Sequence, residues 1–360
     1  MSMATGSRWA DRSGLLLLCV IAALSTVPFV WALSISLRPE EDVFSPGFLP
    51  RSSETRAVVD GQEVEVRVLR ELEDGRVRVK VVGPTDRRSD ESTERRIADI
   101  AGPVVTTRRL DVRWENYPAA WRAYPFLSFG RAYVNSLLVA GLVTLGQVVT
   151  SALAAFAFAR LRFRGRDALF LAYLATMMVP GAVTMIPTFV LLKNLPDVLN
   201  GLFGTDWFSR QLVVGGTVCG VDSYFALIVP RCFSAYGTFM LRQFFLGIPR
   251  ELEEAALLDG CGPVGVLRHV VLPLARPALA TLGIFTFMWA WGDFFWPLIV
   301  TRSDEIKTLP LLLQTFQGSY GARWSLLMAA SVMGLLPMLA VFLLGQRHFI
   351  EGIKLGAVKG

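Results

Sequence analysis

The feature that most limits what this 360-residue chain can fold into is its set of long apolar runs. They are Gly14–Leu37, Val134–Ala159, Ala168–Leu192, Ser223–Phe245, Pro277–Val300 and Trp324–Gly345. Each supplies about 20 or more mostly apolar residues, the length an α-helix needs to cross a hydrocarbon layer. Inside hydrocarbon every backbone N–H and C=O must find a partner within the chain, so such runs become helices. Hydrophobic residues make up 53 % of the sequence and charged residues only 18 %. The expectation is an all-α polytopic membrane protein with six transmembrane helices embedded in the lipid bilayer.

Orientation follows from the arginines. The second and third runs are separated only by "RLRFRGRD", Arg160–Asp167, a basic turn that belongs in the cytoplasm. Counting outward from it puts the N-terminus, the Glu251 segment and the tail "GQRHFIEGIKLGAVKG" on the same side. Each of these carries Arg or Lys close to a run, so the assignments agree. The net charge of +6 is spread over such loops, which argues for topology and against a nucleic-acid partner. The first run is longer than a signal-peptide core and no small-x-small cleavage pattern follows it, so an uncleaved helix is expected.

Cysteine and histidine add no chemistry. Cys19 and Cys232 fall within runs, Cys261 inside and Cys219 outside, so no pair shares an oxidising compartment. His269 and His348 lack Cys or carboxylate neighbours at ligand spacing, and no metal site is expected.

Residues 51–112 do not belong to the helical pattern. "VEVRVL" (Val64–Leu69) and "RVRVKVV" (Arg76–Val82) alternate with the period of two that marks half-buried strands. Asp60-Gly61 and Asp74-Gly75 are placed as hairpin turns. "PTDRRSDESTERR" is too charged to pack and reads as a linker. The first run leads from inside to outside, so a small β-rich extracytoplasmic insert after the first helix is expected. Its arginines do not contradict that, because long loops escape the charge rule. The chain then divides into residues 1–50 (N-terminus, first helix and start of the external loop), the insert and linker at 51–112, and a transmembrane domain at 113–360.

The most informative stretch is "ELEEAALLDGCGPVGVLRHVVLPLARPAL", Glu251–Leu279. Pro249, acids in the first turn and the alanines after them start a short amphipathic helix. Asp259-Gly260 breaks it, since glycine takes the positive φ that ends a helix. A second short helix, Val264–Val271, leads to Leu272-Pro273 and the next run. The product is a cytoplasmic helix–turn–helix whose small alanines leave a low surface for another protein.

This spacing of Glu254-Ala255-Ala256, Asp259-Gly260, Val270 and Leu272-Pro273 resembles the EAA loop of ABC-importer permeases, here residues 246–273. "ENYPAAW" (Glu115–Trp121), "YVNSLLVA" (Tyr133–Ala140), "FMWAWGDFFWPLIV" (Phe287–Val300) and the ending "GAVKG" are similar to the maltose-type, six-span subunit of the carbohydrate-uptake branch. Three departures stand out. Gly292 replaces a common asparagine, residues 51–109 interrupt a short connection, and Val198–Gly220 is a long external loop.

The resemblance implies a non-catalytic permease subunit of an ATP-driven importer in the bacterial inner membrane, with both termini cytoplasmic. The implied solute is a sugar or polyol. No G-x-x-x-x-G-K-[ST] loop occurs, so ATP and Mg would be bound by partner subunits and no cofactor by this chain. The implied partners are an ABC ATPase dimer coupled through Glu254, Ala255, Ala256, Asp259, Gly260, Leu272 and Pro273, a second homologous permease subunit, and an external solute-binding protein. Candidate substrate-path residues are Arg231, Trp289, Trp291, Asp293 and Phe294, because ionisable groups within runs face a cavity or a partner. The competing reading is an interfacial tryptophan belt, Trp296 included, with Arg231 and Asp293 paired structurally. "MMVPGAVTMIP" (Met177–Pro187) reads as kink and packing. The other function classes are a secondary transporter or channel-like protein without ATPase partners, which gives no reason for the Glu254 loop, and a membrane-embedded enzyme, for which no nucleophile–base set can be assembled.

Overall fold

A computed structural model describes residues 4–59, 62–71, 77–81, 97–100, 105–124, 128–211, 216–317 and 323–357. The chain forms two compact units, Met1–Ala120 with Ser319–Val332, and Trp121–Gly318 with Met333–Gly360.

In the first unit, helix α1 (Ala4–Ser36) carries the first apolar run and ends at a buried arginine. Arg38 is fully buried, yet each arm of its guanidinium has an oxygen to donate to. Ser34 Oγ accepts from Nη2 at 3.1 Å and the Ser45 carbonyl from Nη1 at 2.8 Å, while the Gly47 carbonyl also accepts from Nη2. Five strands follow: β1 (Arg51–Val59), β2 (Gln62–Glu71), β3 (Val77–Val81), β4 (Ile97–Ile100) and β5 (Val105–Leu110). They pair in the order β4-β3-β2-β1-β5, antiparallel throughout. Both expected turns, Asp60-Gly61 and Asp74-Gly75, and the 84–96 linker lie outside the described residues. First and last strands are partners, with Arg51 opposite Leu110, and the Asp111 N–H donates to the Pro50 carbonyl at 3.1 Å. The sheet therefore leaves and rejoins the chain at one point. Helix α2 (Asn116–Trp121) closes this unit, with the Asn116 amide donating to the Ser36 and Arg38 carbonyls.

The second unit is built on α3 (Phe129–Arg160). After it come α4 (Arg166–Ala175), α5 (Gly181–Phe203), α6 (Tyr224–Ile228), α7 (Ala235–Leu246), α8 (Arg250–Leu258), α9 (Pro263–Val266), α10 (Leu272–Leu274), α11 (Arg276–Trp291), α12 (Phe295–Val300) and α13 (Leu309–Thr315). The last helix, α14 (Trp324–Ala357), begins in the first unit, where the Glu40 carboxylate caps it by accepting from the Trp324 and Ser325 N–H groups at 2.6 and 2.9 Å. Among the described residues, Gly14–Ser36, Phe129–Arg160, Gly181–Phe203, Tyr224–Leu246 and Trp324–Arg347 are long and apolar enough to cross a membrane. A sixth candidate is bent: Pro263–Leu274 and Arg276–Trp291 meet at 77°.

Three expected spans differ in detail, each for a local reason. Ala168–Leu192 is not one helix, because Pro180 has no N–H to continue α4 and drives Val179 into extended backbone at φ −81° and ψ 118°. The helix that follows runs on to Phe203, so the first six residues expected in the external loop Val198–Gly220 are helical. Ser223–Phe245 is interrupted at residues 229–234, where Pro230 and Ser234 end one helix and start the next. Pro277–Val300 is interrupted at Gly292–Phe294.

The polar side chains of α3 answer these interruptions. Gln147 Nε2 donates to the Arg231 carbonyl at 2.8 Å and Thr150 Oγ1 to the Cys232 carbonyl at 2.6 Å, both in the break between α6 and α7. The Asn135 amide donates to the Glu305 and Lys307 carbonyls and accepts from the Tyr224 hydroxyl, and Ser136 Oγ accepts from the Leu309 N–H. Gly146 makes close approach possible: a Cβ there would sit 2.3 Å from the Cys232 sulfur.

The loop before α6 turns on Asp222, which sits at φ +60°, a conformation that Asp and Asn tolerate. Its Oδ1 accepts from the Arg302 and Ser303 N–H groups at 2.7 and 2.9 Å, and the Ser303 hydroxyl donates to Oδ2. Burial pushes the Asp222 carboxyl up, but the Ser303 and Arg302 hydrogen bonds and the Arg302 charge outweigh it and hold it below the ordinary aspartate range. A depressed folded pKa gives stabilisation that is present above the unfolded value and lost as pH falls through the folded one. Asp222→Asn keeps the backbone conformation and is expected to lower stability near neutral pH by about 1 kcal/mol. It should also flatten the loss of melting temperature below about pH 4. Scanning fluorimetry of the detergent-purified protein across pH checks both, and an unchanged pH profile would contradict the assignment.

Candidate functional site

Helix α8 owes its start to Pro249, after which Glu251 and Glu253 place carboxylates at the positive helix end. Its end is a Schellman motif. The Cys261 N–H donates to the Ala256 carbonyl at 2.9 Å and the Gly260 N–H to the Leu257 carbonyl at 3.1 Å, with Gly260 at φ +83°. Pro263 then opens α9, and Leu267–Val271 widens into a π turn in which the Leu272 N–H donates back to Leu267. Pro273 explains the widening: it has no N–H for the His269 carbonyl, and its ring would collide with that carbonyl in a regular helix. The expected second helix, Val264–Val271, is thus α9 plus a π turn. The 77° bend falls at the fully buried Ala275.

The loop is seated on a core of Ala152, Ala155, Phe156 and Ala159 from α3, Leu241 and Phe245 from α7, and Val266, Leu267 and Val271 of the loop itself. Only α8 stands clear of it. None of its residues is buried; Glu253 and Ala256, three apart on one face, are half-buried, and the rest are exposed. Leu258 is 90 % exposed, and Leu252 and Leu257 are exposed beside it. Across Gly260, Val264 is 77 % exposed. Glu254, Ala255, Asp259 and Gly260 lie on this outward surface, while Ala256 and Leu272 pack against the core and Pro273 shapes the turn.

Glu253 faces inward to Arg160 at the end of α3, Oε1 to Nε 2.7 Å, an ion pair without the alignment of a hydrogen bond. Burial pushes the Glu253 carboxyl up, against the charges of Arg160 and Arg250. The same arginine donates through Nη2 to the Phe245 and Ile248 carbonyls at 2.6 and 2.8 Å.

A second cluster joins the two interrupted helices. Arg231, in the break after α6, pairs through Nη1 with Asp293 Oδ2 in the break after α11. The Arg231 guanidinium lies 3.9 Å over the face of Trp289, a residue that is 58 % exposed. Gln147 ties this cluster to α3 and α11, its Oε1 accepting from the Thr286 hydroxyl at 3.1 Å. Arg231, Trp289 and Asp293 therefore come together. Trp291 is buried elsewhere, donating to the Gly334 carbonyl at 3.0 Å and stacked on Phe287, and Phe294 packs edge-on against Phe295.

Charge in the sequence points to none of Asn135, Ser136, Gln147 and Thr150, and it marks Arg160 only as part of a basic turn. The available signal was a hydrogen-bonding side chain inside an otherwise apolar run, which in hydrocarbon calls for a backbone or side-chain partner.

Residues 147–354 match the family described as "Binding-protein-dependent transport system inner membrane component". The chain is 34 % identical over 226 residues to the arabinooligosaccharides transport system permease protein AraQ of Halalkalibacterium halodurans, covering 63 % of this chain and 73 % of that protein. It is 34 % identical over 245 residues to the sn-glycerol-3-phosphate transport system permease protein UgpE of Yersinia enterocolitica, covering 67 % and 79 %. A crystal structure of a bacterial ABC transporter involved in the import of the acidic polysaccharide alginate shares the fold, with a TM-score of 0.64 at 18 % identity over 97 % of this chain and 99 % of that one.

Gly260 tests the geometry of the turn. A Cβ there would meet nothing within 4 Å, so a substitution costs backbone strain only. Gly260→Ala is expected to destabilise by roughly 1–2 kcal/mol. Gly262, at φ −77° and equally open, is the control and should accept Ala with little change. Equal melting temperatures for the two variants would contradict the Schellman assignment.

Proposed function

The chain belongs to the family of inner membrane components of binding-protein-dependent transport systems, and we propose that it is a permease subunit of an ATP-driven importer for a sugar or related polyol, coupled to ATPase subunits through α8. The carrying observation is the outward surface of α8. A nine-residue helix with no buried side chain, three exposed leucines and the exposed Glu254 has no reason to stand clear of the core unless another protein covers it. Its placement between α7 and the bent α11 lets a push on α8 reach two interrupted helices.

In this reading ATP and Mg are bound by a partner ATPase dimer, a second permease subunit completes the bundle, and an extracytoplasmic binding protein delivers the solute. Both termini lie in the cytoplasm, as the Arg160–Asp167 turn requires. The sugar-class solute is supported by the arabinooligosaccharide permease among the relatives. Arg231, Asp293 and Trp289 form the proposed contact on the solute path, since an aromatic face beside a charge pair suits a ring bearing hydroxyls. The five-stranded sheet is proposed to lie outside, touching the binding protein or the partner permease.

Three outcomes test this. Glu254→Lys in the assembled complex is expected to lower transport at least tenfold with membrane insertion unchanged; normal uptake would remove α8 from the coupling role. Asp293→Ala leaves the Arg231 charge buried without its partner and should cost about 3–5 kcal/mol of stability. Replacing both residues by leucine should restore expression but not transport, and restored transport would mean that the pair is structural only. Joining Pro50 to Asp111 by two glycines, which their 3.1 Å backbone contact permits, should preserve assembly and basal ATP hydrolysis but abolish stimulation by the binding protein. Unchanged stimulation would leave the sheet without a docking role.

A further inference from the structure

We infer that Arg160 is the positioning residue of a three-way joint through which α8 moves the bundle, an inference that rests on α8 being the ATPase contact. Little holds α8 to the core. Of its two inward side chains, Ala256 offers one methyl group to the core, and Glu253 offers the helix's single ion pair to another element among the described residues, to Arg160. The Arg160 side chain is only 5 % exposed, and its guanidinium has two further partners, the Phe245 and Ile248 carbonyls. Those carbonyls belong to the last turn of α7 and the corner after it, where a helix leaves acceptors without intrahelical donors. One side chain on α3 therefore caps α7, fixes the α7–α8 corner and grips α8 itself.

The rigidity matters because the chain between α7 and α8 is only Gly247, Ile248 and Pro249. If the corner flexed, a displacement of α8 would be absorbed there. With Arg160 in place, the displacement reaches α3 and α7 together. α3 holds, through Gln147 and Thr150, the break that carries Arg231. The tie to α8 is ionic while the grip on the corner is hydrogen-bonded through Nη2, so the joint depends on both the charge of Glu253 and the forked shape of Arg160.

The test uses the whole complex, purified from its host in lipid nanodiscs with its binding protein, and MgATP as the only added ligand. Glu253→Gln keeps the shape of α8 and the α7 cap but removes the ion pair. The joint predicts that the ATPase subunits still co-purify, that hydrolysis without binding protein is unchanged, and that stimulation by the binding protein falls roughly fivefold or more. Arg160→Gln should show the same loss, and Arg160→Lys, which restores the charge without the fork, should recover part of it. Wild-type stimulation in Glu253→Gln overturns the joint while leaving α8 as the contact. So does loss of co-purification and basal hydrolysis together, which means that the pair merely stabilises the fold. Absence of co-purifying ATPase from the wild-type chain overturns the reading of α8 itself.

Discussion

The break between α6 and α7 depends on one constraint: a backbone carbonyl inside hydrocarbon must be given a donor. That break and the return loop before α13 expose such groups, and α3 supplies donors for four of their carbonyls. Asn135, Ser136, Gln147, Thr150 and Arg160 lie along one helix and reach residues 305, 307, 309, 231, 232, 245 and 248 in turn. An apolar α3 would take these donors from the carbonyls of residues 231, 232, 305 and 307, at a cost of about 1–3 kcal/mol for each one left without a partner. The helix is thus the fixed post against which the interrupted segments can be irregular.

Irregularity is then put to use. Helix ends inside a span bring Arg231 and Asp293 into contact, where continuous helices would have kept their backbones apart. At the other end of α7 the same post anchors the exposed α8 through Arg160. The charge cluster within the bundle and the surface outside it are both attached to α3, so a mechanical connection between them needs no long chain of contacts.

Much of this was legible in the sequence. Hydrophobic length gave the six candidate spans, and the Glu254–Pro273 spacing gave the turn at Gly260 and the short helices either side, because glycine and proline act locally. The breaks were harder. Pro180 and Pro230 mark two of them, yet proline also sits inside α5 at Pro187 and Pro196 without ending it, so the residue type alone does not decide. Asp293 stands out in the sequence as a charge that could pair with Arg231, but nothing around Gly292 announces that α11 ends there. The role of Trp291 was illegible for a similar reason: its indole is satisfied by Gly334, 43 residues away, and local patterning holds no trace of that pairing. Arg160 looked like one more basic residue of a cytoplasmic turn, whereas its neighbours Arg162 and Arg164 are exposed and its own side chain is turned inward.

The central claim is that the outward face of α8 is covered by an ATPase subunit. Photo-crosslinking in native membranes tests it most directly, with the crosslinking side chain placed once at Leu258, the most outward position of α8, and once at Ala256 on its inward face. An adduct between Leu258 and a nucleotide-binding subunit is expected, and none between that subunit and Ala256. Adducts from Leu258 to lipid alone, or to a protein without a nucleotide-binding domain, would contradict it.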